Sequence, residues 1–349
     1  MAQPLRVPSP TPLEPAAPPA RARRSRTRDV LMESLRTLQA NPLTMAGFVL
    51  VVVLVAVAAL VAFLPPISTA LIGHAVTILP YNPSSIGPGV LEPPNGQHWL
   101  GTDELGRDVF ARVLSALPLD LAIGLVVTGL AIFIGAGLGL VAGYWDEGRV
   151  GRAVSAVILR VTDIFLAFPS LVLAIALAAI FGHAVGALSA DLIALTVTWW
   201  PYYVRIVRGE VLVIKHQGYI HAARLAGLPD RRILGRHVLR NLLEPLTVYA
   251  TLDVGTVIVT FSTIAFVGLG LGTTPEWGTM VSNYQSLLPA DWWLVTAPGL
   301  AIFVTVLALS LLGDGLRDVL DPRTRRAFAR EGQTSTAPAP PAALAEAGP

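Results

Sequence analysis

Six stretches of this chain are apolar over the length that a helix needs to cross a lipid bilayer. A membrane-spanning helix uses about 20 mostly apolar residues to cover about 30 Å of hydrocarbon. Hydrophobic residues make up 53% of the chain and charged residues only 14%, against about 25% charged residues in soluble domains. We therefore predict an all-α polytopic membrane protein with six transmembrane helices. The predicted spans are 44–64, 119–144, 154–181, 188–207, 245–269 and 293–312.

Prolines are expected to interrupt two of these helices. Pro65 and Pro66 are expected to end the first span, and Pro169 is expected to kink the third. The third span also contains Arg160 and Asp163, which are three residues apart and are expected to pair with each other.

Arginine and lysine are unevenly distributed among the segments outside the spans. Seven arginines precede the first span, seven basic residues lie within 208–241, and five arginines follow the sixth span. The loops expected on the opposite side contain only Arg107 and Arg112. Because positively charged loops stay on the cytoplasmic side of a membrane, we predict that both termini are cytoplasmic.

The two ends of the chain differ in composition from the rest. Residues 1–30 are rich in proline and arginine, and residues 326–349 are rich in alanine, proline and polar residues. Such segments bury too little apolar surface to offset the entropy lost on ordering. We predict disordered cytoplasmic tails at 1–30 and 326–349, and a single transmembrane domain over 31–325.

The chain contains no cysteine, and Lys215 is its only lysine. The first fact excludes disulfides and thiolate metal sites. A phosphate-binding loop requires Gly-Lys-Ser/Thr, whereas Lys215 stands between Ile214 and His216. If ATP drives a process in which this protein takes part, another polypeptide binds the nucleotide.

The second span contains three glycines spaced four residues apart, Gly135, Gly139 and Gly143. This spacing places them on one face of a helix. Small residues let helix backbones approach closely in lipid, where hydrophobicity does not drive association. The glycine face either packs within the chain, which we favour, or contacts a partner chain.

The segment 208–243 has the pattern of two short helices joined by a tight turn. Gly227 suits the left-handed position that follows a helix, and Asp230 is a candidate N-cap for the second helix. The small side chains of Ala222 and Ala223 suit insertion of the first helix into a groove on another protein. A basic loop lying on anionic lipid explains these residues equally well.

This segment resembles the EAA loop of the permeases of binding-protein-dependent ABC importers. Two positions depart from that pattern: His221 stands in place of the glutamate, and Arg240 in place of the proline of the downstream H-x-L-P-N ending. The matching residues are Ala222, Ala223, Gly227, His237, Leu239 and Asn241.

Further segments resemble the dipeptide, oligopeptide and nickel permeases. Residues 98–108 are similar to the signature H-x-L-G-T-D-x-x-G-R-D of the C-type subunit of their permease pair. Residues 313–323 resemble the ending G-D-x-L-R-D-x-L-D-P-R, and residues 266–270 and 277–278 resemble F-L-G-L-G and W-G elements. Together these matches identify a candidate C-type permease.

The signature at 98–108 also has a physical interpretation. Gly101, Thr102 and Asp103 are expected to form a turn and an N-cap. Asp103, Arg107 and Asp108 are expected to form a local charge network, a structural role that we favour over contact with a substrate.

The resemblance implies a type I ABC importer permease fold in the cell (inner) membrane, surrounded by lipid. It implies as partners a second, B-type permease subunit, two ATPase subunits and an extracytoplasmic substrate-binding protein, with no nucleic acid. The chain itself would be non-catalytic, with no cofactor and no metal ion, and would move a solute, expected to be a peptide, by alternating access. The residues implied to contact the ATPases are Tyr219, Ala222, Ala223, Arg224, Gly227 and Leu228.

Asp253 is the candidate residue for lining a path through the membrane. It lies in the fifth span, and the four residues on either side of it include no charged partner. Ionisable residues at membrane depth usually serve function because their burial in hydrocarbon is costly.

A polytopic membrane enzyme and a secondary transporter are the alternative interpretations. An enzyme requires a convergent set of nucleophile, acid, base or metal ligands, and the six histidines show no metal-ligand spacing. Many secondary transporters contain internal repeats, and the sequence shows no convincing repeat.

Overall fold

The described part of the protein, residues 41–72 and 74–320 of a computed structural model, is built from helices. The tails predicted at 1–30 and 326–349, and both ends of the domain predicted over 31–325, lie outside these residues. The helices are α1 (Pro42–Ile72), α2 (Val109–Tyr144), α3 (Gly148–Leu166), α4 (Ser170–Val185), α5 (Ala187–Lys215), α6 (Gly218–Leu225), α7 (Asp230–Leu269), α8 (Trp277–Tyr284) and α9 (Trp293–Leu320).

Four of these helices, α1, α2, α7 and α9, are long and apolar enough to cross a membrane. The helix α5 has 29 residues and covers the fourth predicted span, but it is not among those four apolar helices. The helix α7 includes two short π-helical segments, Leu234–Val238 and Ala265–Leu269.

The third predicted span, 154–181, is broken into two helices. The chain forms α3 and α4 there, bent by 87° at a short break that ends at Pro169. Proline disfavours helical backbone at the residue before it and has no N–H for the helix, so the expected effect of Pro169 is confirmed in a stronger form. If the bent pair forms one span, the described residues contain five apolar spans.

Two helix ends also differ from the sequence prediction. The helix α1 continues through Pro65 and Pro66 to Ile72, and the hydroxyls of Ser68 and Thr69 both donate to the carbonyl of Pro65. Local hydroxyl donors of this kind help membrane helices to accommodate proline. The helix α2 begins at Val109, ten residues before the predicted start of the second span.

The glycine face of α2 packs within the chain, against α5. A Cβ added at Gly139 would lie 2.8 Å from the carbonyl oxygen of Val204, and one added at Gly143 would lie 2.9 Å from the Cβ of Val211. Side chains at these positions would therefore push the two helices apart. The favoured interpretation of the glycine face is confirmed.

A pair of glycine substitutions in α2 tests this contact. We expect Gly139→Ala to destabilise the protein by about 1–3 kcal/mol because the added methyl group collides with α5. Gly137→Ala should stabilise it by up to about 1 kcal/mol, because alanine is the better helix former and no atom of the described residues lies within 4 Å of a Cβ there. Thermal unfolding of the purified protein in detergent measures both. Equal effects would contradict the glycine contact.

Candidate functional site

The short helix α6 ends in a hydrogen-bonded turn around Gly227. The Gly227 N–H donates to the Arg224 carbonyl at 2.9 Å, and the Leu228 N–H donates to the Ala223 carbonyl at 3.2 Å. These two bonds define a Schellman motif, which needs a left-handed residue between the helix and the following chain. Gly227 has φ +74°, so its predicted role is confirmed.

The helix α6 has one side fixed to the protein and one side open. Ile220 is fully buried, and Ala223 and Leu228 pack against the same apolar cluster. On the open side Leu225 is 91% exposed, Tyr219 is 44% exposed, and Ala222 is exposed as well. The open side therefore presents the apolar side chains of Ala222 and Leu225 beside the exposed His221, on a rigidly ended helix.

The chain re-enters the helix bundle at the start of α7. Pro229, not Asp230, occupies the N-cap position, so the predicted capping role of Asp230 is wrong. The Asp230 carboxylate instead accepts a hydrogen bond from the Tyr144 hydroxyl at 2.6 Å. Further along, Asn241 donates to the Tyr219 hydroxyl at 3.0 Å, which holds α6 against α7.

The end of α2 and the turn after it form an inner corner, defined as Tyr144, Trp145, Asp146 and Glu147. The ammonium of Lys215 lies 2.5 Å from Asp146 and 2.7 Å from Glu147, although Lys215 is only 3% exposed. Burial alone would lower the pKa of Lys215, but the hydrogen bonds to both carboxylates outweigh it and raise the pKa. The hydrogen bond from Lys215 in turn lowers the pKa of Asp146. This ion pair is therefore charged at neutral pH.

At membrane depth, Asp253 on α7 accepts a hydrogen bond from the Tyr203 hydroxyl of α5 at 2.6 Å. Tyr203 is fully buried and Asp253 is half-buried. The helical spacing places Tyr249, Thr256 and Thr260 on the same side of α7 as Asp253, and all three are exposed or half-buried. This side of α7 is a polar stripe that the rest of the described chain leaves uncovered.

The predicted pairing of Arg160 with Asp163 is wrong. Asp163 on α3 lies 2.6 Å from the guanidinium of Arg205 on α5. The bend between α3 and α4 allows α3 to pack on α5, so a partner distant in sequence is available.

The signature at 98–108 folds around the buried carboxylate of Asp103. It accepts hydrogen bonds from the backbone N–H groups of Leu105 and Arg107, from the Arg107 guanidinium at 2.7 Å and from the Tyr284 hydroxyl at 2.8 Å. Burial alone would raise the pKa of Asp103, but these four donors outweigh it and lower the pKa. Of the charge network predicted for Asp103, Arg107 and Asp108, the pairing of Asp103 with Arg107 is confirmed, whereas Asp108 contacts His98 instead.

The capping role predicted for Asp103 belongs to Asp108. Asp108 precedes α2 and accepts a hydrogen bond from the Ala111 N–H at 2.7 Å. Its other oxygen lies 2.8 Å from Nδ1 of His98. The signature therefore fixes the N-terminal end of α2, and the carboxylates of Asp103 and Asp108 are buried.

The family of the chain follows from comparison with known proteins. Residues 110–326, more than half of the chain, match the family described as binding-protein-dependent transport system inner membrane component. The chain belongs to this permease family. The match includes the inner corner, α6 and Asp253, and it supports the permease prediction over the enzyme and secondary-transporter alternatives.

Similar proteins include bacterial permeases whose names describe dipeptide transport. The permease is 38% identical over 288 residues to the probable D,D-dipeptide transport system permease protein DdpC of Escherichia coli strain K12. This alignment covers 82% of this chain and 89% of that relative. The permease is also 38% identical over 295 residues to the dipeptide transport system permease protein DppC of Alkalihalophilus pseudofirmus, covering 84% and 90%. The prediction of a C-type permease of this kind is confirmed.

A solved structure shares the fold of the permease. A chain of the MetNI methionine ABC transporter, in an inward-facing conformation, superposes with a TM-score of 0.52 at 21% sequence identity. The superposition covers 60% of this permease and 97% of the other chain.

Several residues of the site have no signal in the sequence of the permease. Tyr144 and Asp230 are 86 positions apart, and Tyr203 and Asp253 are 50 positions apart. No spacing rule relates residues at such separations. Lys215 was conspicuous as the only lysine, but nothing in the sequence indicated that two carboxylates enclose it.

The Asp103 network of the permease predicts a specific loss of stability. Asp103→Asn should destabilise the protein by about 3 kcal/mol, because it leaves a buried guanidinium without its counter-charge; Arg112 beside it is only 5% exposed. Since the pKa of Asp103 is lowered, its contribution is present above about pH 4 and is lost as the pH falls further. Thermal unfolding in detergent between pH 3 and pH 7 measures both effects.

The neighbouring Glu104 provides the control for that measurement. Glu104 is exposed, so Glu104→Gln should change stability by less than about 0.5 kcal/mol. A loss of stability in the Glu104 variant equal to that of Asp103→Asn would contradict the buried network.

Proposed function

We propose that this permease is the C-type membrane subunit of an ATP-driven importer of peptides. The relatives named above are described as dipeptide and D,D-dipeptide transport permeases, and a third, from Pseudomonas aeruginosa, as a di/tripeptide permease at 40% identity over 258 residues. The alignments cover most of the length of these relatives, which supports a peptide as the substrate of this permease as well. The permease would move peptide by alternating between inward-open and outward-open packings.

The proposed arrangement in the membrane has six spans within 31–325 and both termini in the cytoplasm. The span α5 would be the least apolar of the six, and α3 with α4 would form the bent one. The loop 208–243 would then lie in the cytoplasm and the signature at 98–108 outside it. The tails 1–30 and 326–349 would be disordered in the cytoplasm.

The proposed partners follow from this arrangement. A B-type permease would complete the path beside this chain, two ATPase subunits would bind below it, and an extracytoplasmic binding protein would deliver peptide. The chain would contribute no catalytic residue, because ATP hydrolysis would take place in the ATPase subunits.

The proposed contact with the ATPase subunits rests on the open side of α6. Leu225 and Ala222 present an apolar surface away from the protein, and Ile220 and Gly227 hold the helix in position behind it. An apolar helix face on a fixed support suits a groove on a partner. Tyr219, Ala223, Arg224 and Leu228 would complete or support the contact.

An arginine on the open side of α6 tests this contact. Ala222→Arg should leave membrane insertion and pairing with the B-type permease unchanged, since Ala222 is exposed. It should lower peptide-stimulated ATP hydrolysis by about tenfold or more, as expected for a charge placed in the centre of an apolar interface. Hydrolysis by the complex reconstituted in nanodiscs measures this.

The control for that experiment is Ala153→Arg, which introduces the same charge at an exposed alanine of α3. It should leave stimulated hydrolysis near the wild-type level. Normal hydrolysis by the Ala222 variant would contradict the assignment of α6 as the ATPase contact.

We further propose that Asp253 lines the peptide path. A carboxylate facing lipid would cost about 3 kcal/mol, whereas one facing a water-filled path beside a partner subunit would not. The Tyr203 hydroxyl fixes one oxygen of Asp253, and the other has no hydrogen-bond donor among residues 41–72 and 74–320. A free carboxylate oxygen in the path would attract the ammonium groups of peptides.

Removal of this charge should slow transport without affecting assembly. Asp253→Asn is expected to lower peptide uptake into proteoliposomes by about tenfold or more, the effect of losing one charge-assisted hydrogen bond, while ATPase binding stays normal. The control Asp314→Asn removes an exposed acid of α9 and should leave uptake unchanged. Wild-type uptake in the Asp253 variant would exclude a role in the path.

A further inference from the structure

The inner corner contacts the loop on both sides of α6. Lys215, three residues before α6, pairs with Asp146 and Glu147. In the last turn of α6, the guanidinium of Arg224 lies 5.5 Å from the centre of the Tyr144 ring, within the range of a cation–π interaction. After the Gly227 turn comes Asp230, which is bonded to the hydroxyl of Tyr144.

These contacts attach the loop to a part of the protein that cannot move independently. Gly143, next to Tyr144, packs so closely on α5 that a Cβ there would lie 2.9 Å from Val211. The Ser155 hydroxyl of α3 donates to the Ala142 carbonyl at 2.9 Å. The corner is therefore rigidly part of α2, α3 and α5 together.

The opposite end of α2 is equally constrained. Asp108 caps its first turn, and the Asp103 network fixes the chain that leads into it. Between these ends α2 has 36 residues, about 54 Å at 1.5 Å per residue. A displacement applied at the inner corner therefore reaches the outer signature through one helix.

A purely structural role, in which the contacts only stabilise the fold, would explain some of them but not all. The Tyr144 ring is 96% buried and would pack as well without its hydroxyl, as phenylalanine does. Its hydroxyl is bonded instead to the carboxylate of Asp230, which follows α6 in the chain. One attachment before α6 and one after it restrain both ends of the helix, which a single attachment does not.

We propose that the inner corner is the joint through which movement of α6 drives α2, with Tyr144 and Asp230 as its positioning residues. This inference rests on the proposed role of α6 as the ATPase contact. The hydrogen bond between Tyr144 and Asp230 keeps the loop and α2 moving as one unit. Lys215 attaches the chain that precedes α6 to the same corner. Loss of either link lets α6 move without α2, so ATP is hydrolysed while less peptide is transported.

A double-mutant cycle on the hydrogen bond tests the joint. Tyr144→Phe keeps the buried ring and its cation–π contact, and Asp230→Ala removes the acceptor at an exposed position. The readout is the number of peptides imported for each ATP hydrolysed by the full complex in proteoliposomes. We expect each single variant to lower this ratio by about fivefold, the effect of one hydrogen bond. The double variant should be no worse than either single one, because both remove the same interaction.

Two further variants complete the experiment. Tyr81→Phe removes the hydroxyl of a half-exposed tyrosine in the outer loop, which has no hydrogen-bond partner among the described residues, and it should leave the ratio unchanged. Lys215→Arg should retain most of the wild-type ratio because the charge is kept, whereas Lys215→Met should lower it. If the contacts only stabilise the fold, these variants should change the unfolding temperature and leave the ratio as in wild type.

The outcomes separate this inference from the proposed function. A wild-type ratio in Tyr144→Phe and Asp230→Ala, or an additive loss in the double variant, would overturn the joint. If Ala222→Arg abolishes stimulated hydrolysis at the same time, α6 is still the ATPase contact and only the joint is excluded. If Ala222→Arg has no effect, the proposed role of α6 as the ATPase contact fails, and with it the basis of the joint.

Discussion

The close approach of α2 to α5 is the contact on which the arrangement of the other elements depends. Gly139 and Gly143 allow the two backbones to come within van der Waals distance, and in lipid such packing replaces the hydrophobic effect as the force between helices. Because the approach is so close, Tyr203 points from α5 toward Asp253 on α7, and Lys215 at the end of α5 reaches Asp146.

A charged network lies at each end of α2. At the N-terminal end the Asp103 carboxylate accepts hydrogen bonds from four donors, and at the C-terminal end the Lys215 ammonium contacts two carboxylates. Buried charges with complete sets of partners contribute little net stability, but removing one partner is costly. Their main effect here is to define one position for each end of the helix.

Much of the fold was predictable from local sequence patterns. The apolar spans, the glycine face of α2 and the left-handed Gly227 follow from periodicity and backbone sterics, which act over a few residues. The departures have physical causes of longer range. Asp163 paired with Arg205 instead of Arg160 because the bend at Pro169 brought α3 to α5. The contact between Tyr144 and Asp230, and that between Asp103 and Tyr284 at a separation of 181 residues, depend on tertiary packing alone.

The two sides of α6 are under different physical constraints. Ile220, Gly227 and Leu228 support the helix, so substitutions there alter the backbone or the packing beneath it. Tyr219, Ala222 and Leu225 face outward, and changes at Ala222 and Leu225 alter surface chemistry alone. Duplicated copies of such a gene can therefore diverge in the exposed surface of α6 by a few outward substitutions, while the attachment of the helix to the rest of the protein is inherited unchanged.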